Sequence, residues 1–259
     1  MAAPKTEQPI IVAFTLDFET GGLKCQTSAC TQIAIHATRL DTFEKLGSYV
    51  RYIYPYKQKD VKGVTGKRKV LKSKYEEAEQ PLMSYEDKAL EYSAITMDML
   101  YNQGEDIEAV AQGVVEFIIK HTPKVSRNMK PFLIGQNVDF DKGFFMQMME
   151  YAGLVKEVAK YLRGSEDFYG HWQPLVLDTI LLGQLALCAK PNVNSYKLEL
   201  MCENLGIELD DAHDADADVS ATTNVVAVLT QRMRSIGGDI NGGELSISKA
   251  EKSRKHFKI

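Results

Sequence analysis

The 259-residue chain has no excess of basic charge: 31 Lys and Arg stand against 35 Asp and Glu, for a formal net charge of −4. A long polyanion finds no global electrostatic footprint here and would have to be held by local cationic patches or by metal. Cysteine is scarce as well. Cys25, Cys30, Cys188 and Cys202 form no CxxC pair and have no histidine at zinc-ligand spacing, which argues against a zinc module and leaves free thiols in a reducing compartment. Long apolar runs are missing. The run at residues 10–16 is far too short to span a bilayer, and residues 1–11 lack the charged-then-apolar order of an export signal. The expectation is a soluble, cytoplasmic protein with no membrane partner, whether cellular or made by a virus inside its host.

What is present is an ordinary globular composition, 44% hydrophobic and 25% charged, enough for one sizeable core. Ile10-Ile11-Val12-Ala13-Phe14-Thr15-Leu16 is nearly continuous, β-branched and closed by Gly21-Gly22, the pattern of a strand buried on both faces. Partial alternation at residues 32–40 and 46–54 predicts two antiparallel strands beside it. Apolar positions Ile107, Val110, Ala111, Val114, Val115 and Ile118 predict a helix over 106–121. Further on, strands are expected at 132–134 and 175–177, and helices at 140–152, 180–187, 198–205 and 215–234, the last with Ala221, Val225, Val228 and Leu229 on one side. Strands first, then strand–helix alternation, imply an α/β fold with a mixed sheet flanked by helices. The expected organisation is one domain over 1–236, interrupted by a charged insertion at about 56–88, and a flexible Gly-rich linker with a basic tail over 237–259.

Five residues carry the chemistry. Asp17 and Glu19 lie two apart at the end of the first strand, so a period of two turns both to one face, where they either chelate hard cations or mark a strand end. Asp141 precedes Phe144, Phe145 and Met148 by three, four and seven residues, which puts a carboxylate on the sheet-facing stripe of its helix, in need of a metal, a cation or a salt bridge. Asp218 shares a face with Ala221, Thr222, Val225 and Leu229 in the same way. Asp214 and Asp216 read as first-turn residues satisfying the helix dipole. His213, just before that helix, is either incidental or a base that accepts a proton near neutral pH.

In this order and spacing, Leu16-Asp17-Phe18-Glu19-Thr20-Gly21-Gly22-Leu23, Asn137-Val138-Asp139-Phe140-Asp141 and His213 through Asp218 resemble the motifs of the DEDDh 3′–5′ exonucleases. Leu177-Asp178-Thr179, Ser195-Tyr196-Lys197-Leu198 and Leu205-Gly206-Ile207 extend the likeness, which covers residues 10–229 apart from the insertion. The family includes the proofreading epsilon subunit of DNA polymerase III and ribonuclease T. The resemblance implies a ribonuclease H-like fold, with Asp17, Glu19, Asp141 and Asp218 as ligands of two Mg²⁺ or Mn²⁺ per site and His213 as general base. It implies hydrolysis of single-stranded 3′ ends to 5′-mononucleotides, DNA favoured over RNA, with proofreading or end trimming as the setting. A polymerase complex is a candidate partner, and the chain is expected as monomer or homodimer. Phe18, Thr20, Gly21, Leu23 and Asn137 are the expected substrate contacts, with Phe18 open to either stacking or core. The alternatives are an exoribonuclease that trims RNA 3′ ends and a silent nucleic-acid-binding module. Two departures touch substrate preference: Gln32 begins the second strand where many relatives have glutamate, and Tyr92-Ser93-Ala94-Ile95-Thr96 lacks a histidine and glycine often found before the isoleucine–threonine pair.

The insertion is cationic first (Lys57, Lys59, Lys62, Lys67, Arg68, Lys69, Lys72, Lys74) and anionic after (Glu76, Glu77, Glu79, Glu86, Asp87), which fits a self-neutralising solvated loop or an arm on nucleic acid. Replacing Lys67, Arg68 and Lys69 by alanine separates the two. An arm loses affinity for long strands, and the slope of log affinity against log salt flattens by roughly 0.7 per lost phosphate contact. A solvated loop leaves the slope unchanged.

Overall fold

The computed structural model describes residues 10–59, 80–124, 129–188, 190–191, 193–209 and 214–234. The central strand β1 (Val12–Thr20) pairs antiparallel with β2 (Cys30–Arg39), and β2 pairs antiparallel with β3 (Lys45–Tyr52). On its other edge β1 runs parallel to β4 (Leu133–Gly135), Phe14 opposite Leu133. A parallel neighbour requires a crossover. It is made by α1 (Asp87–Tyr92), α2 (Met97–Gln103) and α3 (Ile107–His121), the last capped by Asp106, whose carboxylate accepts the N–H of Glu108. The second crossover holds α4 (Val138–Tyr151), α5 (Val155–Tyr161) and a hairpin of β5 (Gly164–Glu166) with β6 (Trp172–Pro174). It returns to β7 (Val176–Asp178), parallel to β4, which completes the order β3-β2-β1-β4-β7. Three helices follow: α6 (Thr179–Leu187), α7 (Leu198–Leu205) and α8 (Ala215–Arg234).

The pleat of β1 divides the molecule. Phe14, Leu16 and Phe18 point to one face, where they join Val110, Val114 and Ile118 of α3 and Phe144, Phe145 and Met148 of α4 in the main core. Ala13 and Thr15 point to the other, which α8 covers: Ala13 and Ile134 pack on Val226, Ala34 on Ala215 and Val219, and the hydroxyls of Thr15 and Thr223 lie 3.0 Å apart. Small side chains on that face let a helix approach closely. Asp17 and Glu19 have the same parity and therefore share the α8 face.

The expected α/β fold, a mixed sheet flanked by helices, is the one observed. The closing helix differs in detail. Val226 rather than Val228 is buried, because α8 is covered on two sides, by the sheet through Val226 and by α6 and α7 through Ala221, Val225 and Leu229. The short helices α1, α2 and α5 and the β5–β6 hairpin were not foreseen, since one or two turns carry no periodicity to read. Within the bounds of the charged insertion, Tyr56 and Met83 are buried in the core. Most of its cationic and anionic residues, at 60–79, and the tail lie outside the described residues. Among the described residues no helix is long and apolar enough to cross a membrane.

Tyr56 ties three elements together. Its hydroxyl accepts the Cys30 N–H of β2 at 2.7 Å and donates to Gln147 Oε1 of α4 at 2.7 Å, while Gln147 Nε2 donates to the Ser28 carbonyl. Tyr56→Phe leaves the buried Cys30 N–H without its acceptor. The expected loss is about 1–3 kcal/mol of unfolding free energy in urea at an unchanged m-value.

Candidate active site

The site forms where β1 ends. Asp17, Glu19 and Asp218 each bring a carboxylate oxygen to within 4.8 Å of the others. Asp17 and Glu19 come from the odd-numbered face of β1, and Asp218 from the first turn of α8, which lies over that face. All three keep part of their surface open to solvent.

Asp141 approaches from the opposite edge of the strand. The Phe14 N–H donates to the Phe132 carbonyl, but the three-residue β4 stops short of Phe18. The Phe18 N–H, on the same edge, donates instead to Asp141 Oδ1 at 3.0 Å. Asp141 thus stands in for the missing strand partner and, at 3% exposed, is almost wholly buried. It can do so because the chain turns sharply at Asn137, which sits in the left-handed region (φ 54, ψ 41) directly before α4. The Asn137 N–H donates to Asp178 Oδ1, which also caps α6 through the Ile180 N–H, and the Thr179 hydroxyl donates to the Gly135 carbonyl. The Leu177-Asp178-Thr179 motif is therefore a brace for that turn.

Burial and mutual repulsion push these carboxyls up. Glu19 rises to about 8, first by burial and then by the charges of Asp17, Asp218 and Asp214. Asp17 and Asp141 are also raised, in each case mainly by burial, followed by the Asp218 charge at Asp17 and the Asp17 charge at Asp141. Convergent carboxylates of this kind, with oxygen as the only donor type among the described residues, fit a hard divalent cation that offsets the repulsion.

The remaining expected residues fall out differently. Phe18 is a correction: it is 4% exposed and packs on Phe144 with ring centres 6.5 Å apart, so it is core and has no face for a base. The same period of two that unites Asp17 and Glu19 sends Phe18 to the other side. Gly21 is a second correction. It is buried, its N–H and C=O are engaged by Ala29 and Glu86, and a Cβ there would sit 2.4 Å from the Ser84 carbonyl, so its role is a close approach of two loops. The Thr20 hydroxyl donates to the Gly22 carbonyl. Leu23 stands 82% exposed, and Asn137 is exposed with no side-chain capping bond. His213 lies outside the described residues. Asp214 caps α8, accepting the N–H groups of Asp216 and Ala217.

Two contacts were missed. Asp216 meets the buried His36 of β2, Oδ1 to Nε2 at 2.5 Å, with Lys45 Nζ 3.1 Å from the same nitrogen, which ties the first turn of α8 to the sheet. Tyr92 is 65% exposed at the rim of the site, its phenol raised by burial and by Glu199, Glu19 and Asp218. No local pattern pairs His36 with a residue 180 positions away.

A mixed five-stranded sheet with an acidic cluster at the carboxyl end of its central strand defines a ribonuclease H-like protein. Residues 14–226 match the family model for exonucleases of the RNase T type, and the chain belongs to that family. Among solved structures it is similar to Escherichia coli exonuclease I in complex with a dT13 oligonucleotide, at 20% identity over 86% of this chain and 42% of that one, TM-score 0.57. The zinc-bound complex of the same E. coli enzyme with single-stranded DNA matches at 20% identity over 86% and 41%, TM-score 0.58. Exonuclease I from Methylocaldum szegediense matches at 20% identity over 87% and 41%, TM-score 0.57. The chain thus spans about two fifths of the length of these proteins.

Raised carboxyl values mean that the folded protein binds more protons than the unfolded chain between about pH 4 and 8. That contribution to stability is complete below about pH 4 and is lost as pH rises through about 8. Metal-free protein should therefore show a Tm difference, wild type minus Asp218→Asn, that grows more negative from about pH 5 to 8. Millimolar Mg²⁺ should raise the wild-type Tm at the upper end, where the ligands are ionised. A difference that is flat in pH would disprove the repulsive coupling.

Proposed function

We propose that the chain is a divalent-metal-dependent 3′–5′ exonuclease that releases 5′-mononucleotides from single-stranded 3′ ends, with DNA the favoured substrate. The observation that carries this reading is the convergence of the Asp17, Glu19 and Asp218 oxygens beside the buried Asp141. The DNA complexes of the similar exonuclease I proteins support the preference for DNA.

Asp17, Glu19, Asp141 and Asp218 would hold two Mg²⁺ or Mn²⁺ ions. Bound there, such ions supply positive charge for the scissile phosphate, activation of water and stabilisation of the departing 3′ oxygen. The protein's own part begins with position: the Phe18 N–H holds Asp141, and β1 with α8 holds the other three carboxylates at one place. His213, one residue before the Asp214 cap, accepts the proton of the attacking water. The exposed Leu23 side chain packs against the terminal base.

The test is mononucleotide release from matched single-stranded DNA and RNA oligomers in Mg²⁺ or Mn²⁺, against EDTA. Asp218→Ala should reduce release to background, and His213→Ala should lower kcat by about 10²–10⁴-fold while metal binding persists. Undiminished digestion by Asp218→Ala overturns the reading. Faster digestion of RNA than of DNA makes the chain an exoribonuclease, and binding with no hydrolysis by the wild type makes it a silent module.

A further inference from the structure

Helix α8 crosses the sheet on small apolar side chains: Ala215 and Val219 pack on Ala34, and Val226 on Ala13 and Ile134. Such contacts bury area without direction, so by themselves they leave the roll of the helix about its axis undetermined. Direction comes from two polar contacts. The buried His36 ring donates from Nε2 to Asp216 Oδ1 at 2.5 Å, since an ionised carboxylate only accepts, and Lys45 Nζ stands 3.1 Å from the same nitrogen. Seven residues further along α8, the hydroxyl of Thr223 meets that of Thr15 at 3.0 Å. Seven residues fall about 20° short of two full turns, so Asp216 and Thr223 occupy one flank of the helix. Their partners form a pair as well, for Thr15 of β1 and His36 of β2 stand directly opposite each other in the antiparallel register. One cross-strand pair thus grips one flank of α8 at two points.

Asp218 follows Asp216 by two residues, about 200° round the axis, and so projects from the opposite flank, where its oxygen joins those of Asp17 and Glu19. A side-chain tip lies about 5–6 Å from a helix axis, so a roll of about 20° moves it by about 2 Å. An octahedral cation tolerates little of that, since its oxygens must lie close to the octahedral directions, at about 2.0–2.1 Å for Mg²⁺. Without the His36 contact the start of α8 would pivot on Thr223, and Asp218 is at that start.

We propose that His36 and Asp216 are positioning residues of the metal site: the hydrogen bond between them sets the roll of α8 and thereby the place at which Asp218 meets Asp17 and Glu19. Both act through the helix and not on the metal itself. Their role rests on the reading of that cluster as the metal centre of an exonuclease.

The experiment measures Mn²⁺ binding by isothermal titration calorimetry, well below the Tm of each variant, beside mononucleotide release from single-stranded DNA as a function of Mn²⁺. Asp216→Ala removes the partner that is open to solvent and leaves the core in place. It should weaken Mn²⁺ binding about tenfold, the scale found when groups that orient metal ligands are removed. The Mn²⁺ needed for half-maximal release should rise by a similar factor, with kcat recovered at saturating Mn²⁺. Asp216→Asn removes the charge and keeps an acceptor for the ring N–H, so it should bind Mn²⁺ as the wild type does. His36→Gln, which keeps a donor, should also retain binding, whereas His36→Leu should lose it. An unchanged Mn²⁺ affinity in Asp216→Ala, even with a lowered Tm, overturns the proposal. So does an equal loss in Asp216→Asn and Asp216→Ala, which would make the effect one of charge and not of position. If the affinities change as expected but the wild type releases no mononucleotide, the positioning stands and the exonuclease reading falls. If release by the wild type requires Mn²⁺ and Asp216→Ala shows the same Mn²⁺ dependence, the reading stands and the positioning falls. A wild type that binds no Mn²⁺ overturns both.

Discussion

Four carboxylates have to be held near one another against their own repulsion, and the rest of the molecule is arranged around that constraint. Asp17, Glu19 and Asp218 keep oxygens within 4.8 Å, and Asp141 is locked behind them by the Phe18 N–H. Such a cluster is unfavourable in isolation, since burial and like charge both oppose ionisation. It persists because each carboxylate belongs to an element whose position is set elsewhere. The even face of β1 is anchored by Phe14, Leu16 and Phe18 in the main core, and α4 is anchored in the same core by Phe144, Phe145 and Met148.

The helix that delivers Asp218 is fixed more locally. Asp214 caps its first turn, Asp216 reaches the buried His36, and Thr223 meets Thr15 about two turns further on. Burial keeps His36 below its ordinary value while Asp216 opposes that shift. The acidic run before and within the helix start thus has separate jobs for neighbouring residues: one satisfies backbone donors, one docks on the sheet and one faces the cluster.

Much of this arrangement was legible in the chain, and unevenly so. Asp17 and Glu19 could be assigned to one face because a strand alternates with a period of two, and the same rule, applied to Phe18, would have placed it in the core. Asp141 and Asp218 were marked by lying on apolar helical stripes, where a charge requires an explanation. Helix α3 stood out because its stripe runs for four turns. Helices α1 and α2 and the β5–β6 hairpin did not, because each is shorter than the pattern that would reveal it. What His36 and Tyr92 meet was invisible for a different reason: Asp216 lies on α8, and the carboxylates acting on Tyr92 lie on α7, β1 and α8, far away in the chain.

By itself the sequence determined which residues could be buried and which charges sat where burial would be costly, since periodicity and hydrophobicity are local properties. That was sufficient for the mixed sheet, the order of its main elements and the four carboxylates. Only the tertiary structure decided what those residues meet: that β4 ends early enough for Asp141 to take its place beside Phe18, that Gly21 is closed off by Ser84, and that Asp216 docks on the buried His36. These are distances between segments remote in the chain, and no local pattern encodes them.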